Sequence, residues 1–303
     1  MTFSGWKVSG GLIMDRLLVV AVMTAVIHLI NTLIYGVRLS GVRTQRLATA
    51  FSLYNVIFLV ASTANTVQAP LLSSLVEHAI IAGQAGAGSI VSAEQLVNHP
   101  AYRQQLHYLN DDMRLVIFAA TVGTVFGAAL LPAFVGLFTR AIMLFGEMGS
   151  VPRMILMLMF SPRRLFRLSR QLYLPRRSSV KTVVARRLGI PKGFLFSNII
   201  VTGVYTIGVL SALYAGALFP DFRSTATLLS AVINGVATIL AATVVEPTAA
   251  AITDQALRGD RSEEDVKQMA LYLTVTRFIG TILAQAIFLP SAYVIKWVAT
   301  LLA

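Results

Sequence analysis

No cysteine occurs among the 303 residues, which excludes disulfide staples and thiolate-ligated metals alike. Charge is almost as sparse. Only 13% of the residues are Asp, Glu, Lys or Arg, about half of what a soluble domain carries. Acids are the scarcer sign, 13 against 25 Lys and Arg. The sequence also lacks His-Glu-x-x-His, Gly-x-Ser-x-Gly and any Asp-rich cluster beside an apolar run. Asp111-Asp112 and Glu263-Glu264-Asp265 read as acids at helix starts, and His99 and His107 match no specific ligand spacing. These absences argue against an enzyme, a bound metal and a cofactor.

What the chain has instead is apolar sequence, 56% of all residues. Six runs are long enough to cross a bilayer as helices of about 20 residues: 17–37, 47–67, 114–138, 194–218, 226–251 and 269–289, the last continuing past Pro290. The first is a full span with no short apolar core ahead of a small-residue cleavage site, so it is expected to stay as a membrane helix. The net charge of +12 is not spread as in a nucleic-acid-binding protein. Twelve basic residues lie between Arg140 and Lys192, three lie in 38–46, and three more in 252–268. The intervening connections hold few: Arg103 and Arg114 in one, Arg223 in the other. Basic loops stay on the cytoplasmic side, which places both termini outside a bacterial cytoplasmic membrane.

Two connections stand out. Residues 139–193 alternate arginine with leucine and aromatics in "SPRRLFRLSRQLYLPRR", as a helix lying along the inner surface would; a re-entrant hairpin is the alternative. The 82–113 stretch contains "GQAGAG". With no strand pattern before it, this is expected to be a flexible outer loop rather than a phosphate cradle.

The halves of the chain resemble each other. "VGTVFGAALLPAFV" (122–135) matches "IGTILAQAIFLPSAYV" (279–294), "TLIYGVRLSG" (32–41) sits against "SALYAGALFP" (211–220), and "TVQAPLLSSLVE" (66–77) lies over "TVVEPTAAAITD" (243–254). A repeat of three spans must insert its second copy upside down. Inverted repeats with proline in matching helices are characteristic of transporters. The expectation is an all-α polytopic membrane protein of two inverted three-helix repeats, 1–138 and 194–303, joined by a basic amphipathic connection, 139–193, with spans 2 and 5 broken at proline.

Polar residues inside such spans are costly and mark a pathway or a paired structural site. His28, Asn31 and Tyr35 recur at helical spacing on one face of span 1, and Arg38 extends the stripe. Span 2 offers Asn55, Asn65 and Gln68, span 5 Asn234 and Glu246, span 6 Arg277 and Gln285. Arg277 lies about 20 Å along a helix that starts at Ser262. It either pairs with Glu246 to hold two helices together or lines a cavity for an anion. His28 satisfies an interhelical hydrogen bond or serves as a ligand. Asn55, Asn234 and Gln285 are assigned to helix packing.

At "VIHLINTLIYGVRLSGVRT" (26–44) followed by "LATAFSLYNVIFLVASTANTVQAPLL" (47–72), the sequence resembles the Amj family of bacterial lipid II flippases. His28, Asn31, Arg38 and the string Gly41-Val42-Arg43-Thr44 are the matching positions. The resemblance implies movement of lipid II, the undecaprenyl-pyrophosphate-linked peptidoglycan precursor, between leaflets without covalent chemistry. Arginine suits pyrophosphate because its planar fork donates several hydrogen bonds at fixed geometry. Arg38, Arg43 and Arg277 are therefore candidates for the head group, with Glu246, His28, Asn31, Tyr35, Asn65 and Gln68 lining the same route. Partners would be lipid II and membrane lipids, with no nucleic acid and with a homo-oligomer left open. Two other classes use some of the same features: an ion-coupled transporter of a small anion, and a membrane scaffold docking partners through 139–193.

Overall fold

A computed structural model describes residues 4–88, 92–150 and 189–302, and all regular structure among them is helical. In chain order these helices are α1 (Ser4–Thr44), α2 (Leu47–Ala87), the short α3 (Ala93–Asn98), α4 (Pro100–Met148), α5 (Lys192–Leu218), α6 (Arg223–Leu240), α7 (Glu246–Arg258) and α8 (Glu263–Leu302). A 3-10 turn, Pro220–Phe222, precedes α6, and a π-helical segment, Ala241–Val245, joins α6 to α7 as one fifth span. Six segments are long and apolar enough to cross a membrane, and the six expected runs fall within them.

The helices are longer than the apolar runs. α2 has 41 residues and α4 has 49, about 60 and 75 Å at 1.5 Å per residue, against about 30 Å of hydrocarbon. The expected flexible loop over 82–113 is correspondingly mostly helix. Gly83 belongs to α2 because the Tyr102 ring packs on it; a Cβ there would lie 2.5 Å from the ring. Tyr102 also donates to Ala217 O at 2.8 Å, which fastens the ends of α2, α4 and α5 together. The helix stops only at Gly88, whose φ of 70° suits a residue without Cβ. Pro100 then starts α4, with the His99 side chain accepting from Ala101 N at 3.3 Å.

At the opposite end α1 turns into α2 through two residues, and Gln45 takes the left-handed φ of 55°. At the start of α8 the Asp265 side chain reaches back as its sequence suggests: Ser262 N donates to Asp265 Oδ2 at 2.9 Å. α4 continues past 138 to Met148. The expected amphipathic stretch lies largely at 151–188, outside the described residues.

α1, α4, α5 and α8 form the centre. α1 packs most extensively on α4 and then on α2; α5 packs most extensively on α8 and then on α6. Glycines set both main crossings. A Cβ at Gly123 would lie 2.1 Å from Ala25 O, and one at Gly280 would lie 2.7 Å from Ile199 O. The helices approach so closely that backbone meets backbone, as small residues permit in membranes. Spans 2 and 5 are peripheral: 22% and 11% of their apolar windows are buried, against 72% in span 4. Leu228, Val232, Val236 and Ile239 are exposed along α6, as a surface solvated by lipid tails requires.

The two prolines expected to break helices differ in effect. Pro70 sits inside an uninterrupted α2. In span 5 the backbone registers Pro247 by widening to a π turn just before it, a common way to absorb a missing donor. Thr248 Oγ1 donates to Val244 O at 2.8 Å in the same turn, so the span bends its hydrogen-bond ladder without ending.

Candidate functional site

The polar face of α1 is a column running through the bundle, meeting α2 at one end and α7 and α8 at the other. At the end near α3, Arg16 Nη1 donates to Ser74 Oγ of α2 at 2.8 Å. Two turns on, Gln68 Nε2 of α2 donates to Thr24 Oγ1 at 2.6 Å, both groups buried. In the middle lie His28, Asn31 and Tyr35. At the Gln45 end, Arg38 pairs with Glu246 of α7, and Arg43 Nε donates to Glu263 Oε1 of α8 at 2.8 Å. Lys267 Nζ shares that carboxylate at 3.2 Å.

Tyr35 donates to Asn198 Oδ1 of α5 over a long 3.4 Å. The Asn198 amide in turn donates to Leu273 O at 3.1 Å and Thr276 Oγ1 at 2.8 Å. One buried side chain thus ties α1, α5 and α8 at the level where Arg277 emerges from α8. Asn198 is not among the site residues expected from the sequence. Its signal was available as a lone amide in the apolar run "FLFSNIIVTG".

Arg277 is half-buried. Its Nε is enclosed without a hydrogen-bond partner, and no ion pair reaches it among the described residues. Its charge acts on His28 and on Tyr54 of α2. Tyr54 spends its own hydroxyl on Ile30 O at 2.8 Å. His28 is 8% exposed and its Nδ1 also lacks a partner, so it makes no interhelical hydrogen bond through that atom. An enclosed donor without an acceptor loses the full worth of its hydration. A cation and an imidazole left so at one level form a place where an anion is favourable.

The pairing considered between Glu246 and Arg277 does not form. Glu246 engages Arg38 instead, because the turn after α6 carries α7 against the Gln45 end of α1. The Arg38 side chain is 7% exposed and stacks 5.1 Å over the Phe51 ring; the Glu246 side chain is 58% exposed. The arginine is fixed by carboxylate and ring together, and the carboxylate keeps an open side.

The remaining candidates divide. Gln68 is buried in its bond to Thr24, Asn31 is half-buried on the column, and Asn65 faces outward from α2. Gln285 packs helices as expected: its Nε2 donates to Arg114 O at 2.9 Å, and Arg114 Nη1 donates back to Gln285 O at 3.0 Å. Asn55 does not, since it lies exposed. Asn234 lies against Gly208, where a Cβ would come within 2.2 Å of its Oδ1. No group of three or more His, Cys, Asp or Glu able to hold a metal occurs among the described residues.

With this geometry in place, the chain can be set beside known proteins. The family model described as Alternate to MurJ, Amj, matches residues 23–299. Among curated proteins, the chain is 39% identical over 272 residues to the protein named Lipid II flippase Amj of Bacillus subtilis (strain 168), covering 89% of this chain and 92% of that relative. No solved structure matches.

Proposed function

Because the chain belongs to the Amj family, we propose that it is a lipid II flippase of the bacterial membrane, carrying the head group across while the polyprenyl tail stays in lipid. It is a transporter and not an enzyme; no covalent bond is made or broken. The observation that carries the assignment to these residues is Arg277, a half-buried cation in an apolar bundle whose Nε is enclosed and unsatisfied, as is His28 Nδ1 on α1. Pyrophosphate supplies what that site lacks, namely negative charge and several acceptor oxygens.

The column on α1 gives the head group a graded polar route. Arg38 and Arg43 stand at its Gln45 end, where the basic loops place the cytoplasm, and the termini lie outside. Asn31 and Tyr35 supply hydrogen-bonding groups between Arg38 and His28. Glu246 balances Arg38 until an anion competes for the guanidinium. Gln68 extends the column onto α2 through Thr24, and Asn65 stands on the exposed side of that helix. The peripheral position of spans 2 and 5 suits a substrate whose tail never leaves the membrane.

Movement occurs between two inverted halves, 1–138 and 194–303, joined by the basic 139–193 connection. Gly123 and Gly280, aligned in the sequence repeat, support this: each lies at the main crossing of its own half and faces a carbonyl of that half's first helix. A transporter of a small soluble anion would use the same arginines, but the family match favours the lipid cargo.

The direct test is depletion of other lipid II flippases in a host cell expressing this chain. Growth and cell shape are expected to be rescued. Failure of an expressed, membrane-inserted protein to rescue overturns the assignment.

A further inference from the structure

At the end of the bundle away from Arg38, a cleft of about 330 Å³ opens between α2, α5 and α6. Its polar lining is Ser73 and Glu77 from α2 with Arg223, Ser224 and Thr227 from α6, over an apolar floor that includes Val76 and Leu213. Glu77 lies about 45 Å along α2 from Leu47, and Arg223 about 35 Å along the fifth span from Glu246, at 1.5 Å per residue. The cleft and the Arg38–Glu246 pair therefore face opposite membrane surfaces.

The two ion pairs are built differently. Arg38 is buried and stacked on a ring. Arg223 Nη2 and Glu77 Oε1 stand 3.9 Å apart, and both side chains are 49% exposed. A pair this long and this wet contributes little and separates easily. Close packing still keeps it in place: a Cβ on Gly216 would lie 3.2 Å from Arg223 O, so α5 holds the start of α6 beside α2.

We propose that this cleft is a second head-group site, on the outer face, where Arg223 exchanges the carboxylate of Glu77 for the pyrophosphate of the arriving lipid. The proposal rests on the flippase reading. Ser73 adds a hydroxyl to the cleft lining, and the apolar floor accepts the first units of a prenyl chain. Such a cleft takes a pyrophosphate and leaves the bulky saccharide and peptide outside it, in water. Glu77 has a purpose in this exchange. As a tethered competitor it returns to Arg223 and expels the anion, so the site receives cargo without retaining it.

The absence of native cysteine makes the test clean. Ser224→Cys in the purified full-length protein reports the cleft through its rate of maleimide modification, with Thr227→Cys as a second reporter. Farnesyl pyrophosphate is expected to slow modification several-fold, and inorganic pyrophosphate to do so less. Glu77→Gln should lower the concentration for half-protection by about two- to fivefold, the worth of a wet ion pair. Arg223→Gln should abolish protection. No protection at either reporter, or protection unchanged in Arg223→Gln, overturns the site. Equal protection by inorganic pyrophosphate overturns its lipid character. The wild-type protein assayed alongside in lipid II proteoliposomes separates the two levels: protection without lipid II movement refutes the flippase reading and leaves an amphiphilic-anion site standing.

Discussion

Arg38 and Glu246 form an ion pair between the first and fifth spans in which only the arginine is buried. A guanidinium enclosed to 7% exposure and stacked on Phe51 cannot give up its partner without a replacement anion. The carboxylate, open on one side, can. Substitutions at the two positions should therefore be unequal. Arg38→Ala is expected to abolish rescue of flippase-depleted cells, and Arg38→Lys to retain a minor part, because an ammonium neither stacks nor forks as a guanidinium does. Glu246→Gln should leave substantial rescue. Equal loss at both positions, with equal membrane abundance, would make the pair a purely structural clasp.

Arg277 gives the sharper prediction. Its Nε has no partner to lose, so Arg277→Ala should leave the protein inserted and as heat-resistant in detergent as the parent while eliminating lipid II movement in proteoliposomes. Arg277→Lys should keep partial activity. Undiminished transport by the alanine variant would remove Arg277 from the route.

Asn198 should behave in the opposite way. Asn198→Leu removes three interhelical bonds, each worth about 0.6 kcal/mol in membranes and at most about 1.7. A total near 2 kcal/mol lowers the midpoint of thermal unfolding in detergent by about 3 °C for a chain of 303 residues. Thermal scanning of the solubilised protein checks it; an unchanged midpoint would show that the three bonds are replaced by water.

The matched glycines offer a paired test. A methyl at Gly123 or Gly280 meets a backbone carbonyl, which cannot rotate away, so Gly123→Ala and Gly280→Ala should each cost about 1–3 kcal/mol. At Gly136 nothing lies within 4 Å of an added Cβ, and Gly136→Ala should fall within about 0.5 kcal/mol of the parent. Comparable effects at all three positions would mean that the crossings are looser than described.

Orientation can be read with single cysteines in the exposed turns at Gln45 and Ser92. In intact cells a membrane-impermeant maleimide should label Ser92→Cys and spare Gln45→Cys until the cells are opened. The reverse pattern would invert the topology and exchange the faces assigned to Arg38 and Arg223.

The membrane spans were legible because hydropathy alone selects them, and the His28–Tyr35–Arg38 face because helical spacing within one segment defines it. The ends of α2 and α4 were not, since helix extending beyond the apolar run is no longer marked by hydropathy, and "GQAGAG" looks like a loop until Tyr102 is seen to need Gly83. Partner choice was hidden for a related reason. Whether Glu246 meets Arg38 or Arg277 depends on how α7 leaves the π turn and settles on α1, a contact between segments 208 residues apart. Asn198 was in plain view, but a single amide among apolar residues does not announce that three helices converge on it.

The contrast between Pro70 and Pro247 gives the two outlying spans different mechanics. α2 is one uninterrupted rod from the Gln45 turn to the Glu77 cleft, so tilting it by about 5° about its middle displaces each end by roughly 2–3 Å in opposite directions. The fifth span has a joint at 241–245, and the same push at its outer end can be absorbed there before reaching Glu246. The protein thus has a lever on one flank and an elbow on the other.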